Sequence, residues 1–197
     1  MTDSSAISIL NLHPPIAPLP EGWNVLATAK DHEQHRLAKR LCRFGDFRWT
    51  AYRGLLAGRV EDHEAFFAQL MRCEDAEPGF LDPVARILPI THTFAFRPET
   101  LLTQLQDTIR PWAGQIDGHP FHVRCERRGH AGMLHSQAVE RTLHERLREW
   151  LTAQGHHPVI TFRDPEFVIA VELIDTACGI AMLSKSLWTR FPFVRIP

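Results

Sequence analysis

Between Trp23 and Phe96 the chain runs through an apolar segment, a segment of helical period, two apolar segments, a second helical one and a last apolar one. This strand-helix-strand-strand-helix-strand order constrains the fold more than any other feature. Short connections and right-handed crossovers leave few ways to bury six such elements. Trp23–Ala29, WNVLATA, predicts a buried strand. In DHEQHRLAKRLCRFG, Asp31 stands where a helix cap would, Leu37, Leu41 and Phe44 share one face, and Gly45 ends the helix. DFRWTAY and GLLAGRV predict two strands joined by a tight turn near Arg53-Gly54. A second DHE, Asp62-His63-Glu64, opens another helix with Ala65, Phe66, Leu70 and Met71 as its apolar positions. After the irregular acidic stretch CEDAEPGFLDP, the segment ARILPITHTFAF predicts one strand, with Pro89 at a bulge or an edge.

That plan is ferredoxin-like, and it occupies residues 22–96 after an extended segment at 1–21. Both DHE tripeptides read as helix starts, with Asp capping and Glu favoured by the positive end of the helix dipole. A pair of metal sites is the alternative, although neither tripeptide brings a second nearby ligand.

Residues 97–187 follow another order. Pro98 suits the first turn of a helix with Leu101, Leu102, Leu105 and Ile109 on one face, and Pro111 stops it. HPFHVRCER alternates as a strand. Residues 136–154 are the clearest helix, with Ser136 as cap and Val139, Leu143, Leu147, Trp150 and Leu151 aligned. PVITF, FVIAVELI and CGIAMLS predict strands, the last two joined at Asp175-Thr176. The expected fold class is α+β: a ferredoxin-like domain (βαββαβ), then an α/β domain (αβαβββ) with its own core, then a tail at 188–197.

The 197 residues allow one domain or two small ones. No run of about 18 apolar residues offers a membrane span, and the N-terminus lacks the pattern of a signal peptide. Cys42, Cys73, Cys125 and Cys178 are far apart with no C-x-x-C, which predicts reduced thiols, mostly buried, and a cytoplasmic location. The net charge of −1 argues against indiscriminate polyanion binding. It conceals local imbalance. Residues 36–53 hold Arg36, Lys39, Arg40, Arg43, Arg48 and Arg53 against Asp46 alone, whereas residues 61–82 hold seven acids against Arg72.

Phosphate-loop, dinucleotide, zinc-protease, zinc-deaminase and nucleophile-elbow motifs are missing. Glu166 and Glu172 both lie near a predicted sheet, but nothing in the sequence supports them as a catalytic pair. The segment that does suggest chemistry is Arg127-Arg128-Gly129-His130, where a strand feeds a helix. A helix N-terminus offers free N–H groups and a positive dipole end. Guanidinium groups match phosphate oxygens, and Gly129 and Gly132 let backbone approach a ligand. On the residues alone two readings stand: a phosphate site, or a solvated loop in which Glu126 neutralises one arginine.

The stretch FHVRCERRGHAGMLHSQAVERTLHERLREWL, followed by DPEF and FVIAVELIDTACGIAMLS, resembles a THUMP domain, a module of tRNA-modifying proteins. WNVLATA and ILPITHTFAF ahead of it resemble the stand-alone branch that includes the adaptor of tRNA cytidine acetylation. The resemblance covers about 175 residues. It implies binding to tRNA at the acceptor stem and 3′ end, with chemistry done by a separate tRNA-modifying enzyme. The chain is therefore expected to be no enzyme, with no catalytic residue, metal or cofactor. The resemblance implies phosphate contacts from Arg124, Arg127, Arg128 and Lys185, and sugar or phosphate contacts from His130 and Ser136. Arg190 and Arg195 extend that patch, and Trp188 or Phe191 either stacks on a base or packs the tail onto the core. The competing readings are an unrecognised enzyme acting on RNA or nucleotides, and a protein-interaction module that uses the acidic stretch 74–82.

Overall fold

The computed structural model describes residues 18–129 and 134–196. His130 and Gly132, and all but the last four residues of the expected extended segment, lie outside the described residues. In chain order the elements are β1 (Val25–Ala29), α1 (Gln34–Leu41), β2 (Asp46–Trp49), β3 (Leu55–Arg59), α2 (His63–Ala76), β4 (Val84–Pro89) and β5 (His92–Ala95). Then follow α3 (Leu101–Ile109), α4 (Ala113–Ile116), β6 (Pro120–Arg128), α5 (Ser136–Ala153), β7 (Val159–Ile160), β8 (Phe167–Ile174), β9 (Ala177–Ser184) and α6 (Lys185–Arg190). The chain is a mixed α+β structure with two sheets. Among the described residues no helix is long and apolar enough to cross a membrane.

One sheet has the order β2-β3-β1-β4, antiparallel throughout. The other has the order β5-β9-β8-β6-β7, with β6 parallel to both β7 and β8. Strand alternation assigns the faces. Val25, Ala27, Leu56 and Ile87 face α1 and α2, where Leu37, Leu41, Phe66, Phe67 and Leu70 complete a core. On the second sheet Phe121, Val123, Cys125, Ile169, Val171 and Leu173 face α3 and α5. The remaining faces meet each other. Trp23, Leu26, Leu55, Ala57 and Ile90 pack with Ile174, and Leu88 packs with Ala170, Ala181 and Leu183. The layers therefore run helix, sheet, sheet, helix. β8 is buried on both sides, which is why FVIAVELI reads as nearly continuous apolar sequence. Close approach of the sheets needs Gly179: a Cβ there would stand 2.4 Å from the Trp23 ring.

Several local expectations are corrected. ARILPITHTFAF is two strands, because the chain changes sheets inside it. The Ile90 N–H bonds the Asn24 carbonyl in the first sheet, and the Thr91 N–H bonds the Ile180 carbonyl in the second. Asp31 does not cap α1, which starts at Gln34 after His32 adopts φ +64° and has no side-chain cap. Asp62 does cap α2, accepting from the Ala65 N–H at 2.6 Å. α3 begins at Leu101, beyond Pro98, and Pro111 does not end the helical path. It sits in a single 3-10 turn, Arg110–Trp112, that continues into α4. Ser136 is the first residue of α5 and not its cap. All four cysteines are free thiols; Cys125 and Cys178 are buried in the core, while Cys42 is exposed.

The tail belongs to the first core. Phe191 and Phe193 lie 5.3 and 5.4 Å from the ring of Phe67, and the Ile87 N–H bonds the Phe193 carbonyl at 2.8 Å. The tail thus covers the outer edge of β4, the edge strand that carries Pro89. Removing a buried phenylalanine side chain costs about 3–5 kcal/mol. Phe193→Ala is expected to lower unfolding stability by that amount in a urea titration, whereas a merely adherent tail would leave the midpoint unchanged.

Candidate nucleic-acid interface

The alternation of β6 divides the predicted cationic residues between two faces. Arg128 points toward the first sheet. Its guanidinium donates to Glu172 at 2.5 Å and to Glu126 at 2.6 Å. Arg86, from β4, donates to Glu126 at 2.5 Å and to Glu172 at 3.0 Å. Four charges thus neutralise one another between the sheets. Glu172 is only 1% exposed. Burial pushes its carboxyl above the usual range, and Arg86 and Arg128 pull the other way. Burial also acts to raise Glu126, but the hydrogen bonds and charges of the two arginines outweigh it and hold that carboxyl low. Arg128 is therefore a structural ion-pair partner, and its expected phosphate contact is corrected. Nor do Glu166 and Glu172 form a pair, since six strand residues, roughly 20 Å, separate them.

Arg127 lies on the opposite face, with Cys125. Burial pushes the Cys125 thiol up to about 12, and that thiol shares a hydrogen bond with Ser136 in the first turn of α5. Arg127 and the α5 N-terminus are therefore neighbours, as the sequence predicts. The Arg127 guanidinium donates to the Gly129 carbonyl, and its Nε is buried without a partner. Gly129 has φ +92°, and a Cβ there would meet the Tyr52 hydroxyl at 2.8 Å and Asp175 Oδ1 at 2.9 Å. Glycine is needed on both counts. The Tyr52 hydroxyl donates to Asp175 at 2.5 Å, which joins the β2–β3 loop to the β8–β9 turn. Burial and that bond push the Tyr52 hydroxyl up to about 12. Exposed Arg53 follows directly. Beside this junction lies a hollow of about 380 Å³ lined by Leu19, Thr50, Ile174, Asp175 and Thr176. Among the described residues neither Arg53 nor Arg127 forms an ion pair.

Lys185, Arg190 and Arg195 do not join them. Ser184 pairs with Phe167 at one end of β8, and Arg128 pairs with Ile174 at the other. That places Lys185 about 23 Å from the junction along the strand, and it is paired with Asp164 at 2.6 Å. Arg190 pairs with Glu64 at the start of α2. Arg195 donates to the Pro192 carbonyl at 3.1 Å. Phe191 is buried in the core and offers no face to a base, while Trp188 is half-buried and packs against two of the apolar clusters. Part of the basic run 36–53 is also spent internally. Arg36 pairs with Glu33, Arg48 with Asp46, and Arg40 donates to the carbonyls of Gly79 and Phe80. The acidic stretch is used likewise, as Glu74 accepts from the Gly79 and Leu81 N–H groups.

What closes the other edge of β6 could not be read from the sequence. β7 pairs only with Pro120 and Phe121. Past it, the Val123 N–H is accepted by His144 Nε2 at 2.8 Å, and the Cys125 N–H by Glu140 Oε1 at 2.9 Å. The two acceptors are one turn apart on α5. Arg124, 41% exposed at its side chain, lies 3.6 Å from Glu140. His122 stacks on His144 with ring centroids 5.3 Å apart, and the exposed ring of Phe162 packs against it at a tilt, centroids 4.3 Å apart. The available signal was the Glu140/His144 spacing beside the apolar stripe of α5, which is indistinguishable from a solvated flank until the missing strand partner is known. Among the described residues no three His, Cys, Asp or Glu side chains group to hold a metal ion.

No protein-family model matches the sequence, and no significant match is found among curated proteins. Solved structures do match in fold. PH1313 from Pyrococcus horikoshii Ot3 is 11% identical, with 81% of this chain and 53% of that chain covered and a TM-score of 0.55. TrmN from Thermus thermophilus is 17% identical, with 82% and 45% covered and a TM-score of 0.55. A protein from Clostridium difficile 630 described as a possible methylase is 11% identical, with 81% and 40% covered and a TM-score of 0.55. The chain thus spans about half or less of these proteins, and at such identity what it shares with them is the fold. The expectation that the chain is no enzyme is corrected to this extent: the same fold occurs in a protein described as a possible methylase, so the fold gives no ground for excluding an enzyme.

Burial, with His122 nearby, lowers the His144 pKa from 6.5 to about 4, which keeps the ring neutral as an acceptor. Between those values the unfolded chain takes up the proton first, so stability is complete above pH 6.5 and falls as pH drops toward 4. The expected loss between pH 7 and pH 5 is about 2 kcal/mol. Urea unfolding at the two pH values should show it, and His144→Gln should reduce the difference.

Proposed function

We propose that this chain binds structured tRNA, at its acceptor stem and 3′ end, within a tRNA-modifying system. In this reading a ferredoxin-like unit at 22–96 leads into a THUMP-type unit at 97–187, and a tRNA-modifying enzyme is the partner. The observation that carries it is the junction after β6. Arg127 neighbours the first turn of α5 there, exposed Arg53 follows Tyr52 in the adjoining β2–β3 loop, and neither arginine forms an ion pair among the described residues. Asp175, the carboxylate beside Gly129, is held by the Tyr52 hydroxyl.

A guanidinium beside free helix N–H groups suits a phosphate oxygen. A-form RNA is recognised largely through its backbone and shape, so a few such contacts suffice for a chain without net positive charge. The THUMP resemblance and the likeness in fold to TrmN support the same reading. Arg128 contributes by holding the sheets together under the junction.

Arg127 and Arg128 are therefore expected to separate by experiment. Arg127→Ala should leave the fold intact, weaken tRNA binding several-fold at low salt and reduce the salt slope by about one. Arg128→Ala should cost about 3–5 kcal/mol of stability, because it leaves buried Glu172 short of a partner. Filter binding and urea unfolding check the two. A double Arg53→Ala, Arg127→Ala protein that binds tRNA as tightly as the parent would refute the site.

A further inference from the structure

The groove beside the open edge of β6 has a composition that closing a strand edge does not require. It holds about 350 Å³ and is lined by Gln137, Arg141, His144, Glu145, Arg148 and Phe162 among others. Phe162 is 74% exposed, the most exposed large apolar side chain among the described residues. It is nevertheless placed with care. The Thr161 hydroxyl donates to the Arg163 carbonyl at 2.9 Å and accepts from the Arg163 N–H at 3.1 Å, and the Thr161 N–H bonds the Phe121 carbonyl at 3.0 Å. This loop is tied to the start of β6. The Phe162 ring packs against His122 at a 57° tilt, and His122 in turn stacks on His144. His122 is 7% exposed, and its Nδ1 is buried without a partner. The three rings form one supported aromatic cluster, in which Phe162 is tilted against the stacked histidine pair and is the outermost, largely exposed member.

Charge accompanies the aromatic plate. Arg141 and Arg148 are exposed on α5, two turns or about 10 Å apart. Neither forms an ion pair among the described residues. Of the acids nearby, Glu140 is occupied by the Cys125 N–H and Arg124, which leaves Glu145 as the one opposing carboxylate in the lining. An exposed aromatic plate flanked by guanidinium groups is the arrangement on which unpaired bases stack while their phosphates are held. A partner presenting only aliphatic side chains would leave both arginines unused.

We propose that this groove is a stacking site for one unpaired nucleobase of a single-stranded RNA segment, with Phe162 as the plate and Arg141 and Arg148 as phosphate contacts. It lies on the same edge of the second sheet as Arg127. His122 and Arg127 are five strand residues apart, roughly 17 Å, with half-exposed Arg124 between them. A single strand leaving the junction would follow the β6 edge into the groove. The inference rests on the chain binding RNA, and not on Arg127 being a contact.

The test uses the full chain, a short unpaired oligoribonucleotide carrying a fluorescent aminopurine base, and whole tRNA. The parent should bind the oligonucleotide at low salt and quench the aminopurine on stacking. Phe162→Ala should weaken that binding roughly tenfold and abolish the quench. Phe162→Trp should retain both, and because the residue is exposed the thermal unfolding of both variants should match the parent. Unchanged oligonucleotide affinity and quench in Phe162→Ala would overturn the groove, even with tRNA binding intact and sensitive to Arg127→Ala. If the parent binds neither tRNA nor oligonucleotide, the RNA reading itself fails and takes the groove with it.

Discussion

The two sheets meet face to face, and that contact holds four charges. Arg86 comes from one sheet, while Glu126, Arg128 and Glu172 come from the other, and each carboxylate accepts from both guanidinium groups. Burying an unpaired carboxylate would cost several kcal/mol, so every member is needed once the others are present. Apolar contact from Trp23, Leu26 and Leu88 closes the rest of the interface. The relative placement of the β2–β3 loop, the β8–β9 turn and the end of β6 follows from this packing. The Tyr52–Asp175 bond forms only because the sheets are in register there.

That dependence explains the division of labour between two adjacent arginines. A strand sends successive side chains to opposite faces. Arg128 is therefore drawn into the inter-sheet network, and Arg127 is left beside the first turn of α5. The same alternation carries His122 and Arg124 past the short β7 to the open edge. There α5 supplies the acceptors that a neighbouring strand would otherwise supply. The proposed binding surface and the protection of the strand edge draw on the same few residues. The groove beside them is open because β7 ends after two residues.

Much of the fold was legible in the sequence. Apolar periodicity located the strands and long helices, since a period near two or near 3.6 reports a buried face directly. The Asp175-Thr176 turn and the Asp62 cap followed from turn and cap chemistry. The failures share a cause. Nothing local distinguishes β4 from β5 within ARILPITHTFAF, because both alternate alike and only the sheet partner changes at Ile90-Thr91. Asp31 has the right side chain to cap a helix, but the left-handed turn at His32 moves the helix start beyond its reach.

Of the candidate site, the sequence by itself determined that arginine, glycine and a helix start occur together after β6. Covalent order guarantees that proximity. Which arginine is drawn into ion pairs, and whether Lys185, Arg190 and Arg195 reach the same place, only the tertiary structure decided. Those answers depend on strand pairing, on the carboxylates that happen to lie opposite, and on the distance along a strand between its two ends. Tertiary packing also turned the apparently basic tail into core, because Phe191 and Phe193 gain more against Phe67 than on the surface. A linear sequence records which charges exist, but their cancellation is a matter of three-dimensional neighbours.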